Sequence, residues 1–531
     1  MNRPVRLRAA PLRCHAWTAW MLALVVALTA ALAGCAAPPP LPKPPTGYAQ
    51  SPQPDSVFAP IEDRIRAQHG EQSSGFLLLP RNEDALNWRL ALIDSARNSL
   101  DLQYYVWFGD KAGQLLLARV IAAASRGVKV RLLFDDLNTL LHDMSSVELR
   151  DAALVTIDRH PNIEIRVFNA WRSRDLLGRA AESAVEFERL NRRMHNKQMI
   201  ADNRVAIIGG RNIGDEYFGL NTGFNFHDLD VLGVGPVARQ ASDVFDRYWN
   251  SDWVRRIPVV DPAAGAPARS AAEADALARL EADARGRILL VGDQSWRAAL
   301  RDLPGSLHPG RSSVHTDSPS RADDVRNHMP EAFRKLMRSA RSEVLITNAY
   351  IIPDANFMAD LRELAARGVR IRILTNSLAS HDVPAVNSHY EGWRRPILAT
   401  GAELYEFRPD PAIKASIVEY PPFRGQFAGL HTKAIVIDRS RSFIGSMNLD
   451  PRSEIINAEM GVIIDSEALA AALAAEMERD MSPANSWRVV LQSDGGLRWI
   501  ADGETRSTQP ARSFMQRIEN LVFKLFPPNL Y

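Results

Sequence analysis

At 531 residues, 46% of them hydrophobic, the chain is long enough for two or three domains and apolar enough to bury real cores. A formal charge of +2 selects no class of partner and gives no support to a nucleic-acid binder with a basic stripe. Only Cys14 and Cys35 are present, so the body of the chain has no thiol for a disulfide, a zinc site or a nucleophile.

The first predicted element is a targeting segment, residues 1–35. Arg3, Arg6, Arg8 and Arg13 precede an uncharged run, 16–34, that ends in Leu32-Ala33-Gly34-Cys35. A basic start, an apolar stretch and small residues before a cut site make a secretory signal. Read as an uncleaved anchor, the same run is nearly long enough to span a bilayer. Either way the body is expected outside the cytoplasm, tethered to a membrane. The small residues before Cys35 resemble a bacterial lipobox, which implies acylation of Cys35 and an exported lipoprotein on the periplasmic side. Cleavage there would remove four Arg and no acid, taking the charge from +2 to −2. Ala36 resembles an outer-membrane sorting residue, but the choice between inner and outer membrane stays open.

Residues 36–55 carry eight prolines and read as an extended tether. The body then repeats itself. Ser95-Ala96-Arg97 leads into a strand-like run from Ser99 to Val106, a helical stretch, and the apolar run Val128 to Phe134. Ser339-Ala340-Arg341 leads into Val344 to Ile352, a second helical stretch, and Val369 to Leu374. This order predicts an α/β fold of two similar mixed-sheet halves, 56–261 and 286–531, packed about a pseudo-twofold axis with the active site between them. The Ala-rich stretch 262–285 is expected to link the halves, and 304–326, rich in Ser, Pro, Arg and Asp, to be a loop. The tail has Phe514, Ile518, Leu521, Val522 and Leu525 at helical spacing. It reads as a C-terminal amphipathic helix that either faces a membrane or covers a sheet edge or core.

Each half ends in the same constellation. His195-Asn-Lys197 with Asp202 recurs as His431-Thr-Lys433 with Asp438, each an H-x-K-x4-D. A small pair and an asparagine follow both: Gly209-Gly210-Arg211-Asn212 and Gly445-Ser446-Met447-Asn448. Only eight of the 64 basic residues are Lys, yet two occupy the same motif position, which points to a need for a compact ammonium. Alternation along a strand puts each His and Lys on one face. Asp202 and Asp438 fall in turns, where an Asp is ordinary; bracing a hairpin or the interface between the halves suits them better than proton transfer.

Brought together, two imidazoles, two ammonium groups and two Asn amides form a site for a tetrahedral anion. The lysines and asparagines would stabilise the non-bridging oxygens of a phosphoryl group. One His can attack phosphorus and the other can protonate the leaving oxygen. Each His needs a carboxylate on its other ring nitrogen. Asp228, 33 residues after His195, and Glu459, 28 after His431, stand at matching offsets; the alternative is strand-edge acids facing water.

The twin motifs, with Gly209-Gly-Arg-Asn-Ile-Gly-Asp-Glu-Tyr-Phe-Gly219, Phe226-His-Asp-Leu-Asp230 and Gly445-Ser-Met-Asn-Leu-Asp-Pro-Arg-Ser453, resemble the phospholipase D superfamily. They are similar to C-type bacterial cardiolipin synthases. The resemblance spans about residues 70–531. It implies phosphatidyl transfer between phospholipids through a phosphatidyl-histidine intermediate, with no metal and no other cofactor. Phospholipids and a membrane surface would be its partners, and no nucleic acid. It favours attack by His195, although Gly210, where many relatives have Ser, departs from the pattern and can make the half-sites unequal. Hydrolysis to phosphatidic acid uses the same residues, and a phosphodiesterase or nuclease is a third reading. A non-catalytic lipid-binding protein would not need both motifs.

Overall fold

Among the described residues, eighteen strands join edge to edge in one sheet, in two series that run outward from its middle. The computed structural model describes residues 41–136, 154, 157–173, 176–260, 296–319 and 328–525. The expected targeting segment with Cys35, and the expected linker 262–285, lie outside the described residues. Leu41 and Pro42, in irregular backbone, belong to a unit of their own, and the described residues from Lys43 onward form a second unit.

The middle of the sheet is the antiparallel pair Ser73–Leu79 and His308–Thr316. Outward from Ser73–Leu79 come Asp230–Val234, Val205–Gly209, Gln198–Ala201, Ser99–Tyr104, Lys129–Asp135, Ile163–Phe168 and Val254–Arg256. Outward from His308–Thr316 come Met460–Asp465, Arg441–Gly445, Lys433–Ile437, Glu343–Asn348, Arg370–Asn376, Glu403–Phe407 and Ser486–Leu491. Parallel and antiparallel pairings fall at the same places in both series, which is the pseudo-twofold relation the repeat predicts. Two more strands, Leu497–Ala501 and Glu504–Arg506, extend the second half only.

The helix after the first long strand is capped alike in both halves. Asp110 accepts the backbone N–H of Gly113 ahead of Lys111–Ser125, and Asp354 accepts that of Phe357 ahead of Ala355–Ala366. The helices Pro236–Trp249 and Glu467–Asp480 close a core shared by both halves. Val231, Val244 and Phe245 meet Val436, Val462 and Leu473 there, all at most 1% exposed. Burial of each such side chain contributes roughly 1.5–3 kcal/mol. The halves therefore share a core as well as a sheet.

Two expectations fail here. Residues 308–316, expected within a loop, form a central strand. Ser, His and Arg dominate it because much of its surface stays partly exposed, and a Cβ at Gly310 would meet the Asp465 carbonyl oxygen at 2.7 Å. Residues 43–55, expected as part of the extended tether, lie along the first half. Asn250 and Asp246 accept the N–H groups of Gly47 and Ala49, and Arg166 and Asn203 donate to the carbonyls of Pro45 and Gln50. A proline-rich chain cannot join a ladder, so side chains satisfy its backbone instead.

Candidate active site

Each His–Lys pair sits at the mouth of a hairpin whose turn is set by its own Asp. Asp202 and Asn203 have φ of 52° and 51°, and Asp438 and Arg439 both have 49°. Two consecutive left-handed residues make the tight turn that fits the twist of paired strands. The Asp side chains then reach sideways within their own half. Asp202 accepts the N–H groups of Arg97, Asn98 and Ser99 and the Ser56 hydroxyl. Asp438 accepts those of Arg341, Ser342 and Glu343 and the Ser342 hydroxyl. Both acids tie the hairpin to the start of the neighbouring strand and stand outside the chemistry.

Beyond the hairpins the halves are zipped together. Phe427–Leu430 pairs in parallel with Phe224–His227, and the His431 N–H donates to the His227 carbonyl at 2.8 Å. The His195 N–H donates to the Ala458 carbonyl, and the Ala458 N–H to the Arg193 carbonyl, both at 2.8 Å. Each histidine strand thus runs beside the segment of the other half that carries a carboxylate. His195 Nδ1 donates to Glu459 Oε2 at 2.8 Å, and His431 Nδ1 donates to Asp228 Oδ2 at 2.5 Å. The offsets within each half suggest partners in the same half; the structure crosses them. With Nδ1 engaged, Nε2 is left as the reactive nitrogen of both rings.

Lys197 Nζ donates to the His195 carbonyl at 2.6 Å, and Lys433 Nζ to the His431 carbonyl. Each ammonium faces an aromatic ring: Lys197 lies 5.0 Å from the Tyr105 centroid and Lys433 5.7 Å from that of Tyr350. The tyrosines also meet the imidazoles edge-on, Tyr105 with His195 at 4.9 Å and Tyr350 with His431 at 6.4 Å. The sequence comparison missed both, because Tyr105 lies eight residues after Arg97 while Tyr350 lies nine after Arg341.

The electrostatics show one shared pocket. Burial, then the charges of Lys197, Lys433 and His431, hold His195 well below the ordinary histidine range. His431 is lowered by burial and by Lys433 and Lys197, against the pull of Asp228. Burial lowers both lysines, Lys433 to about 8. The carboxylates differ. Burial pushes Glu459 up to about 7 despite Lys197 and the Ser446 hydroxyl. Asp228 is just as buried, yet His431, Lys433 and Arg211 outweigh the burial and hold it below its ordinary value.

The small residues after each hairpin also differ, and they act against that difference, since the hydroxyl on the Glu459 side lowers the carboxyl it bonds. Ser446 Oγ donates to Glu459 Oε2 at 2.5 Å. At the equivalent Gly210 a Cβ would lie 2.5 Å from Asp228 Oδ1, so no serine fits beside that carboxylate. Gly209 and Gly445 do not lie in the left-handed region. They are needed for close approach, since a Cβ would meet Asp230 Oδ1 at 2.1 Å or the Met460 carbonyl at 2.4 Å. Of the two asparagines, one departs from expectation. Asn212 accepts the Val106 N–H and donates to the Tyr217 hydroxyl, so its amide is committed to the protein. Asn448 Oδ1 is buried with no partner among the described residues.

A profile of the family described as "Cardiolipin synthase, PLD-like domain" matches residues 90–249 and 333–481. The chain is 34% identical to cardiolipin synthase C of Escherichia coli (strain K12) over 87% of its own length and 96% of that protein. It is 27% identical to cardiolipin synthase B of the same strain over 70% and 72% of the two chains. Among solved structures, a phosphatidylserine synthase of Haemophilus influenzae superposes with a TM-score of 0.54 at 13% identity, covering 81% of this chain and 91% of that one. The last likeness is one of fold.

Proposed function

This chain belongs to the cardiolipin synthase, phospholipase D-like family, and we propose that it joins two phospholipids into cardiolipin through a phosphatidyl-histidine intermediate. It is a phospholipase D-type phosphatidyltransferase. Phosphatidylglycerol and a second phospholipid are the proposed substrates, at the membrane surface to which an acylated Cys35 on the periplasmic side would tether the chain. The observation that carries this reading is the pair of crossed carboxylate–imidazole contacts, which set two histidines with free Nε2 atoms beside two buried ammonium groups.

The steps follow from the asymmetry. His195, held the more strongly neutral, attacks phosphorus through Nε2; a P–N bond forms and the P–O bond to the departing alcohol breaks. The phosphodiester anion and the ionised Asp228 favour the imidazolium form of His431, which gives its Nε2 proton to that alcohol. The hydroxyl of the acceptor lipid then passes its proton to His431 and attacks phosphorus, the P–N bond breaks, and His195 is released. The incoming phosphodiester anion favours charge on Lys197 and Lys433, which stabilise its non-bridging oxygens.

Labelled phosphatidylglycerol in bilayers, supplied to the purified full chain, tests this. Cardiolipin as the product, with an acid-quenched adduct on the peptide containing His195, is the expected outcome. Phosphatidic acid alone would transfer the site to hydrolysis, and no lipid product would reject the reading.

A further inference from the structure

The C-terminal helix Phe514–Phe523 is docked inside out. Its buried residues are Gln516 and Asn520, while Phe514 is 77% exposed, Leu521 64% and Leu525, just past its end, 84%. The expectation of an apolar face laid over a sheet edge or core is overturned. Gln516 Nε2 donates to the Leu378 carbonyl at 2.6 Å, Asn520 meets Asn387 and Glu391, and Lys524 pairs with Glu391. A soluble helix pays nothing to put its polar residues in water, so polar pinning below and apolar residues above mark a face that meets something else.

The pinned surface belongs to the pocket wall. Arg512 donates to the His381 carbonyl, His381 stacks on Tyr350 at 5.2 Å, and Asp382 accepts the Tyr350 hydroxyl at 2.6 Å. Tyr350 is the ring that faces Lys433 and His431. Other exposed large apolar side chains also flank the motifs: Phe187 lies in the short helix leading to His195, and Ile455, 75% exposed, lies between Asn448 and Glu459. Charge selects the occupant. Residues 512–525 hold Arg512, Arg517 and Lys524 against Glu519, and with Lys524 paired to Glu391 the balance at this surface is one positive charge. An outward apolar stripe with basic residues at both ends is the form that lies in the headgroup layer of an anionic membrane.

We propose that the outward face of Phe514–Phe523 inserts into the surface of an anionic phospholipid bilayer and holds the wall of the pocket against it. This rests on the proposed function for its substrate class but needs no turnover. The helix fixes the orientation of the pocket wall toward the bilayer.

The test is local, so the tether does not obscure it. p-Benzoylphenylalanine is placed at Leu521 or, as a control, at Leu491 of the full chain, and each is irradiated with phosphatidylglycerol vesicles. Lipid adducts at 521 at least about tenfold above those at 491 are expected, and fewer with phosphatidylcholine vesicles. Equal yields at the two positions, or a crosslink from 521 to a second copy of the chain, would overturn the proposal. The double variant Phe514→Ser/Leu521→Ser is expected to keep its turnover of short-chain phosphatidylglycerol below the micelle concentration and to lose about tenfold on bilayers. Equal losses on both would reject docking. Adducts at 521 from a chain that forms no lipid product would reject the reaction and leave the docking intact.

Discussion

His195 Nδ1 and Glu459 Oε2, 264 residues apart in the chain, share a hydrogen bond of 2.8 Å across the boundary between the two halves. His431 and Asp228 repeat the relation in the opposite direction, 203 residues apart. Neither motif histidine therefore finds its carboxylate within its own half. A strand-to-strand contact in each case, His195 beside Ala458 and His431 beside His227, brings the partner alongside.

The crossed pairing has a thermodynamic signature. In equilibrium unfolding, a double-mutant cycle between His195→Ala and Glu459→Gln is expected to give a coupling of about 0.5–3 kcal/mol. The cycle between His195→Ala and Asp228→Asn, which share no hydrogen bond, should give the smaller coupling of the two. Each carboxylate variant should also lower kcat by about 10²- to 10⁴-fold, because the imidazole loses its fixed tautomer. Equal couplings in the two cycles would remove the crossed assignment.

The two carboxylates predict the shape of the pH–rate profile. Glu459 titrates near 7, and its ionised form is the one that accepts His195 Nδ1–H, so activity should rise through that region as pH increases. The Ser446 hydroxyl lowers that value. Ser446→Ala should therefore move the acid limb to higher pH, measured as kcat/KM. Asp228, held below its ordinary value, should give no limb near neutrality. A Ser446→Ala profile that shifts to lower pH would contradict this account.

Gly210→Ser should be costly although the other half carries a serine in the same place. Its Cβ would fall 2.5 Å from Asp228 Oδ1, and that carboxylate cannot withdraw without releasing His431. A loss of kcat of about 10²-fold or more is expected, with thermal stability reduced by about 1–3 kcal/mol. Full activity in this variant would show that Asp228 has room to move.

The motif aspartates should behave as structural residues. Asp202→Asn is expected to cost about 1–3 kcal/mol of stability, with kcat per folded molecule within a few-fold of the parent. Burial would raise the Asp438 carboxyl, but hydrogen bonds from Glu343, Ser342 and Arg341 hold it below 3.8. A depressed folded value means that its contribution is complete above 3.8 and fades as pH falls further. The stability gap between parent and Asp438→Asn should be constant near neutral pH and close below 3.8, by urea unfolding across a pH series. A gap that widened on acidification would have the wrong sign.

The repeat of Ser-Ala-Arg, strand, helix and H-x-K-x4-D was legible because each unit satisfies its own local rules. Period-two apolar runs and capping aspartates are properties of neighbours in sequence. The central strand 308–316 was not legible, since its composition is that of a loop and its place is decided by Ser73–Leu79 and Met460–Asp465 on either side. Tyr105 and Tyr350 were missed because a one-residue offset hides them from comparison of the repeats.

The sequence by itself determined the two α/β halves, the His and Lys of each motif and the chemistry that such a set performs. Residue type and spacing suffice for that, because strand alternation alone puts His and Lys on one face. Only the tertiary structure decided that the carboxylates cross over, which backbone groups the aspartates hold, and that the last helix faces outward. Those outcomes depend on which strands lie side by side across the pseudo-twofold axis, a relation between residues hundreds of positions apart that no local pattern encodes.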